Sequence, residues 1–178
     1  MSLQSKALIG SWMQAIGTIT SAMKNNPSTR KSKASAAHQD LWGNVLQGTG
    51  NALLADTEKN ASLGEVGNKI QAIGNVIIVI GFLISDDEKR VSELSIKGNL
   101  IQAVGGSLSI AEVLNKDPAI NSIYDVYGNM LQIVGNVMQS MSGIKDLHGI
   151  DSDLLDIVGG WTQAVGSVFT LIDVIKDK

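Results

Sequence analysis

The sequence contains no cysteine, only 2 prolines, 4% aromatic residues and 17% charged residues among its 178 positions. The absence of cysteine excludes disulfides, thiolate chemistry and cysteine-ligated zinc. The shortage of proline beside 19 glycines separates the chain from disordered linkers, which are rich in both. A net charge of −3, with few and scattered basic residues, gives no electrostatic basis for binding nucleic acid. What remains is a chain of the length of one domain, 1–178, with a sizeable core.

What the sequence does contain is one short segment in six copies, of which the third, GNKIQAIGN at 67–75, reads almost the same in both directions. Each copy has a central glutamine, with glycine four residues before it and three residues after it, and asparagine follows many of these glycines. We call these residues the amide stripe. Its glutamines are Gln14, Gln47, Gln71, Gln102, Gln132 and Gln163. Its glycines are Gly10, Gly17, Gly43, Gly50, Gly67, Gly74, Gly98, Gly105, Gly128, Gly135, Gly159 and Gly166. Its asparagines are Asn44, Asn51, Asn68, Asn75, Asn99, Asn129 and Asn136.

The spacing of the glutamines, between 24 and 33 residues, predicts one helix per repeat. Sequences typical of capping boxes at 62–65 and 85–88, and Asp117 before Pro118, predict helix starts between copies. The expected fold is all-α, with six sequential antiparallel helices in a bundle or array. The predicted helices lie near 3–24, 35–56, 62–85, 86–115, 118–145 and 151–176.

The first and last copies lack asparagine and carry tryptophan at the same place, Trp12 and Trp161. Atypical terminal repeats are expected in an array whose end units have only one neighbour. Alternatively, the two ends pack on each other and close a ring.

The repeat resembles uncharacterised repetitive proteins of Gram-positive bacteria that are built from the same Gly-Asn-x-x-Gln-x-x-Gly-Asn unit. The resemblance covers nearly the whole chain. It implies a bacterial source, and it implies no activity and no site residues.

On a helix with 100° per residue, the amide stripe falls on one arc and the large apolar residues fall on the opposite arc. In water the apolar arcs should face inwards, and Ile16, Ile73, Val104, Val134 and Val165 are then expected in a single core. Glycine inside a helix costs about 1 kcal/mol relative to alanine. Exposure of the stripe to solvent would not offset that loss of helix stability. We therefore expect the stripe to be a contact surface, within the chain, between chains or inside a membrane.

A membrane arrangement is the alternative, with apolar arcs facing lipid and the stripe at helix contacts. The longest charge-free windows, 7–23, 70–85 and 126–144, have 17, 16 and 19 residues. A spanning helix needs about 20 mostly apolar residues, so the sequence favours the soluble bundle. The apolar run near the N-terminus belongs to the first repeat, which argues against a cleavable signal peptide and favours a cytoplasmic location.

No set of residues with catalytic or metal-binding spacing is found in the sequence. His38 and His148 lack a second ligand nearby, and the acidic groups at 86–88 and 151–156 are typical of helix starts. The GTGNAL segment at 48–53 is a repeat copy rather than a phosphate loop. We therefore expect no enzyme, no cofactor and no metal. The expected function is a structural or protein-interaction role, with the amide stripe used for a protein partner or self-association; the alternative is a membrane-active helical protein.

Overall fold

The computed structural model describes residues 1–25, 32–58, 60–115 and 123–176, and it is all-helical over these ranges. Six α-helices follow in chain order, and they are α1 Leu3–Ala22, α2 Lys33–Ala55, α3 Leu63–Ile84, α4 Glu88–Asn115, α5 Ile123–Leu147 and α6 Asp153–Lys176. A short 3-10 helix, η1 Met23–Asn25, extends α1. The prediction of an all-α fold with one helix per repeat is confirmed.

The helix boundaries follow from local capping chemistry. Ser62 caps α3, where its side chain accepts a hydrogen bond from the backbone N–H of Glu65, as the capping box predicts. The predicted break after α3 is confirmed, but Ser85 does not cap α4. Asp87 does so instead, because its carboxylate accepts from the N–H of Lys89 and its carbonyl accepts the first helical bond. The predicted start at 117–118 lies outside the described residues.

The helices form a closed ring. Each described helix packs on the helices before and after it in the chain, and α1 packs on α6. Among the described residues, close backbone contacts join each α-helix only to these two neighbours, except that α1, α2 and α6 also contact η1. Ring closure, which the sequence left as one of two possibilities, is the observed arrangement.

The prediction that the apolar arc of each helix faces the core is wrong. The five residues expected in the core are between 46% and 58% exposed, and they are Ile16, Ile73, Val104, Val134 and Val165. The fully buried side chains are instead mostly amides and hydroxyls: Asn51, Asn75, Asn136, Thr18, Ser11, Ser140, Ser142 and Ser167. The reason is steric, because helix backbones can approach closely only through the face that bears glycine. This close approach places the amide stripe inside the bundle and the branched apolar side chains outside.

Candidate functional site: the polar interior

The helices form three hairpins, α1–α2, α3–α4 and α5–α6. The twelve glycines of the amide stripe lie in reciprocal pairs between the two helices of each hairpin. In the first hairpin, Gly10 faces Gly50 and Gly17 faces Gly43. The pairs of the second hairpin are Gly67 with Gly105 and Gly74 with Gly98, and those of the third are Gly128 with Gly166 and Gly135 with Gly159. Because the order of partners reverses along the second helix, each hairpin is antiparallel. The near-palindromic repeat thus matches itself when one copy is turned round.

The contact at each pair is too close for a side chain. A methyl group added at Gly74 would lie 2.6 Å from the carbonyl oxygen of Gly98, and one added at Gly67 would lie 2.6 Å from that of Gly105. Real methyl groups do not approach a backbone oxygen so closely, so glycine is required for the observed spacing of the helices. The amide stripe is therefore a helix contact within one chain.

The six central glutamines are all buried, with at most 4% of each residue exposed. Nε2 of Gln14 donates to Oε1 of Gln132 at 3.1 Å, which links α1 to α5. Nε2 of Gln163 donates to Oε1 of Gln47 at 3.1 Å and to Oε1 of Gln102 at 3.4 Å, which links α6 to α2 and to α4. These helices are not neighbours in the ring. The glutamines therefore fill the middle of the ring, and we call them the glutamine layer.

The asparagines of the stripe bond along and across their own hairpins. Oδ1 of Asn51 accepts from Nε2 of Gln14 at 2.7 Å, and Nδ2 of Asn75 donates to the carbonyl of Gln71. Asn44 and Asn129 donate to the aspartate one turn before them. Most of the asparagines are buried, while Asn68 and Asn99 are half-buried. The stripe residues named from the sequence are thus brought together in one interior.

Three buried polar atoms of this interior have no hydrogen-bond partner among the described protein atoms. They are Oδ1 of Asn75, Oδ1 of Asn136 and Nε2 of Gln102. Buried amides normally have partners, supplied either by protein or by ordered water.

Sequence reasoning missed the glycines that lie between hairpins. A methyl group at Gly48 would lie 3.1 Å from Cβ of Asn75 on α3, and one at Gly106 would lie 2.9 Å from Cγ1 of Ile133 on α5. Gly160 on α6 faces Ala22 at the end of α1. Gly106 and Gly160 occupy repeat positions where other copies have asparagine, and this substitution was the signal that could have identified them.

Cavities open into the interior from both ends of the ring. The first has a volume of about 180 Å³ and lies where α1, α3 and α5 end; it contains Lys24, Asp40, Asp146 and Asp156. The second has a volume of about 200 Å³ and lies at the opposite end; it contains Glu58, Glu112, Asp125 and Asp173. Members of the glutamine layer line both, with Gln47 and Gln163 in the first and Gln14 and Gln132 in the second. The glutamine layer therefore separates two polar cavities.

Lys24 is held between two carboxylates in the first cavity. Its ammonium lies 3.0 Å from Oδ2 of Asp40 on α2 and 3.5 Å from Oδ2 of Asp156 on α6. Burial by itself would lower the pKa of Lys24, but the charges of Asp156 and Asp40 outweigh it and raise the pKa above its ordinary value. These ion pairs connect η1, at the end of α1, to α2 and α6, where the ring closes.

We expect Lys24→Met to lower the free energy of unfolding by about 1–3 kcal/mol, because two partly buried carboxylates lose their cation. The pKa of Lys24 is raised by folding, so its contribution is complete below the pKa of an unfolded lysine, about 10.4, and is lost as pH rises through the folded value. Thermal unfolding should therefore show a constant difference between variant and wild type at neutral pH that shrinks above about pH 10.

The matched control is Lys33→Met, which removes an ion pair to Glu88 whose side chains are 80% and 83% exposed. Such pairs contribute little to stability. Equal unfolding temperatures for the two variants would contradict a stabilising role for the Lys24 cluster.

The part of the chain that the structure describes lacks the side-chain clusters that hold metal ions. No group of three or more histidine, cysteine, aspartate or glutamate side chains there could hold a metal ion. His38 lies in α2 and His148 follows α5, and both are exposed. The GTGNAL segment lies within α2, as predicted.

Comparison with known proteins assigns the chain to a family. Residues 5–171 match the family described as "Family of unknown function (DUF6944)", and the chain therefore belongs to it. No curated protein and no solved structure shows a match to this chain.

Proposed function

We propose that this member of the family is a non-enzymatic, membrane-embedded helical bundle, rather than a soluble protein that presents the amide stripe to a partner. The observation that carries the proposal is the inverted distribution of side chains, with amides and hydroxyls inside the ring and large apolar residues outside. Water favours the opposite arrangement, because buried apolar area is the main source of folding free energy. Hydrocarbon favours the arrangement seen here, where close packing and hydrogen bonds join helices through small residues.

The exposed apolar residues surround the ring rather than forming one patch. Every helix contributes at least one large apolar side chain that is more than 40% exposed, for example Ile9 on α1, Trp42 on α2, Ile80 on α3, Val104 on α4, Met130 on α5 and Val165 on α6. A binding site for one protein partner would occupy one side of the molecule. An apolar surface on every side matches a lipid environment.

The charge-free segments of the six helices are staggered about the glutamines: 70–85 starts one residue before Gln71, whereas 98–111 starts four residues before Gln102. Each helix has a charge-free segment that includes or adjoins its glutamine, and these segments are 7–23, 41–55, 70–85, 98–111, 126–144 and 157–172. At 1.5 Å per residue they span about 21–28 Å. A hydrocarbon core is about 30 Å thick, and thinning of the bilayer accommodates a modest shortfall. Lys69 is the charged residue nearest in sequence to a layer glutamine, two positions before Gln71, and its ammonium pairs with Glu65, one turn further from the layer.

Two helices, α3 and α6, are long and apolar enough to cross a membrane by length and composition. The core helix of a soluble protein can meet the same criterion, but such a helix is mostly buried. In the most apolar windows of α3 and α6 only 33% and 39% of the residues are buried. The apolar faces of these helices therefore point out of the bundle.

The amide stripe is engaged within the chain and cannot also bind a partner without opening the ring. Its glycines are paired inside each hairpin, and its glutamines bond across the ring. Self-association, if it occurs, would use the apolar outer surface.

The test uses the three tryptophans, which all lie on the outer surface: Trp12 is 48% exposed, Trp42 62% and Trp161 41%. We expect purified protein to require detergent and, after reconstitution, to show strong quenching of tryptophan fluorescence by lipids brominated on their acyl chains. Aqueous iodide should quench weakly, because hydrocarbon excludes the ion.

The control is the same protein in detergent without brominated lipid, which fixes the unquenched signal. Single-tryptophan variants should place Trp12 and Trp161, each two residues from a layer glutamine, deeper than Trp42. Protein that stays monomeric in buffer without detergent and is quenched by iodide alone would overturn the proposal.

A further inference from the structure

We propose that the axis of the ring is a pathway for small cations, with the glutamine layer as its constriction. This inference rests on the proposed membrane location, and it adds a transport activity to it. Three observations on the interior carry it: the two cavities at opposite ends, the glutamine layer between them, and the charge of the residues at each mouth.

The cavities approach each other through the glutamine layer. Gln163 lines the first cavity and Gln132 lines the second, and hydrogen bonds extend from Gln163 to Gln47 and Gln102, and from Gln132 to Gln14. Each cavity is large enough for several water molecules, since liquid water occupies about 30 Å³ per molecule. The members of the layer that line the two cavities present amide groups rather than apolar ones.

Three buried amide atoms in or next to the layer have no hydrogen-bond partner among the described protein atoms. Nε2 of Gln102 belongs to the layer itself, and Oδ1 of Asn75 and Oδ1 of Asn136 lie one turn from layer glutamines of their own helices. Each is at least nine-tenths buried, and each needs a hydrogen-bond partner that water supplies. Amide oxygens can also replace part of the hydration shell of a cation, as backbone carbonyls do in selectivity filters.

Both mouths favour cations over anions. The second cavity has four carboxylates among its described lining residues, Glu58, Glu112, Asp125 and Asp173. The first has three carboxylates with one ammonium, and that ammonium is shared between Asp40 and Asp156. Rings of carboxylates raise the local concentration of cations and repel anions. Transport of an anion through these mouths is therefore disfavoured.

The experiment measures potassium and chloride fluxes in liposomes of neutral lipid that contain the purified full chain, with flotation of the same sample as a record of insertion. We expect potassium flux well above that of protein-free liposomes, and little chloride flux. Gln163→Leu should reduce the potassium flux by about tenfold or more, because an apolar constriction excludes water and ions. The matched control is Val165→Leu, two residues away and 46% exposed on the outer surface, which should leave the flux unchanged.

A second variant protects the test against misfolding of Gln163→Leu. Glu58→Gln combined with Glu112→Gln removes two charges at the second mouth while keeping the shape of both side chains, and it should lower the preference for potassium over chloride. Protein that floats with the liposomes but gives no potassium flux overturns the pathway and leaves the membrane location standing. Flux with no response to either variant also overturns it, and protein that does not float overturns both proposals.

Discussion

Replacing Gly135 with alanine is expected to lower the free energy of unfolding by about 2–3 kcal/mol, although alanine is the better helix former. The added methyl would lie 2.6 Å from the carbonyl oxygen of Gly159 and 2.7 Å from the amide nitrogen of Gln163. Both are backbone atoms of α6, so the whole helix must move away, and the bonds of Gln163 in the glutamine layer would lengthen. Thermal unfolding of detergent-solubilised protein, followed by circular dichroism, measures the effect.

Gly160→Ala is the matched control, because Gly160 is also a helical glycine at a helix contact. Its added methyl would lie 3.4 Å from Cα of Ala22, an ordinary packing distance. We expect this variant to be neutral or to gain up to about 1 kcal/mol from helix propensity. Gly135→Leu should prevent assembly altogether. If Gly135→Ala is as stable as Gly160→Ala, close approach of the helices does not explain the repeated glycines.

The number of helices, their antiparallel register and several of their limits could be predicted because they depend on local sequence. One glutamine-centred copy gives one helix, and the capping residue Ser62 marks a start that is independent of the rest of the fold. The pairing of Gly74 with Gly98 and of Gly67 with Gly105 follows from the palindrome, since a reversed copy places glycine opposite glycine. These features needed no knowledge of the surrounding medium.

The direction in which the arcs face could not be predicted from periodicity. The pattern places Gln71 and Ile73 on opposite sides of α3, but it is equally consistent with either side facing inwards. The choice depends on the energy of close backbone packing against that of apolar burial, and therefore on the solvent around the bundle. The charge-free windows were short enough to favour apolar arcs that face inwards, whereas Ile73 is 55% exposed.

Contacts between copies that are distant in the chain also could not be predicted from the sequence. The junction of Lys24 with Asp156 exists only because the ring closes, and the bond of Gln14 to Gln132 exists only because the second and third hairpins return to the first. The shared place of Trp12 and Trp161 indicated that closure was possible, but nothing local distinguished it from capping at two free ends.

Val134→Arg tests the membrane location at its most sensitive point. Val134 is 47% exposed, follows the layer residue Gln132 by two positions, and lies near the middle of the longest charge-free segment, 126–144. A lipid-facing arginine at that depth costs about 2.5–3.5 kcal/mol on insertion scales. We therefore expect a large loss of membrane-inserted protein, measured as the fraction that resists alkaline carbonate extraction.

Leu154→Arg is the control for the same change of residue. Leu154 is 73% exposed but lies in the first turn of α6, between Asp153 and Asp156 and outside the charge-free segment 157–172. At the level of the lipid headgroups an arginine costs little, and here it gains acidic neighbours, so insertion should be unchanged. In water both substitutions would replace an exposed apolar side chain by a charged one and would be tolerated alike. Equal recovery of the two variants in the soluble fraction would show that the apolar surface is not in contact with lipid.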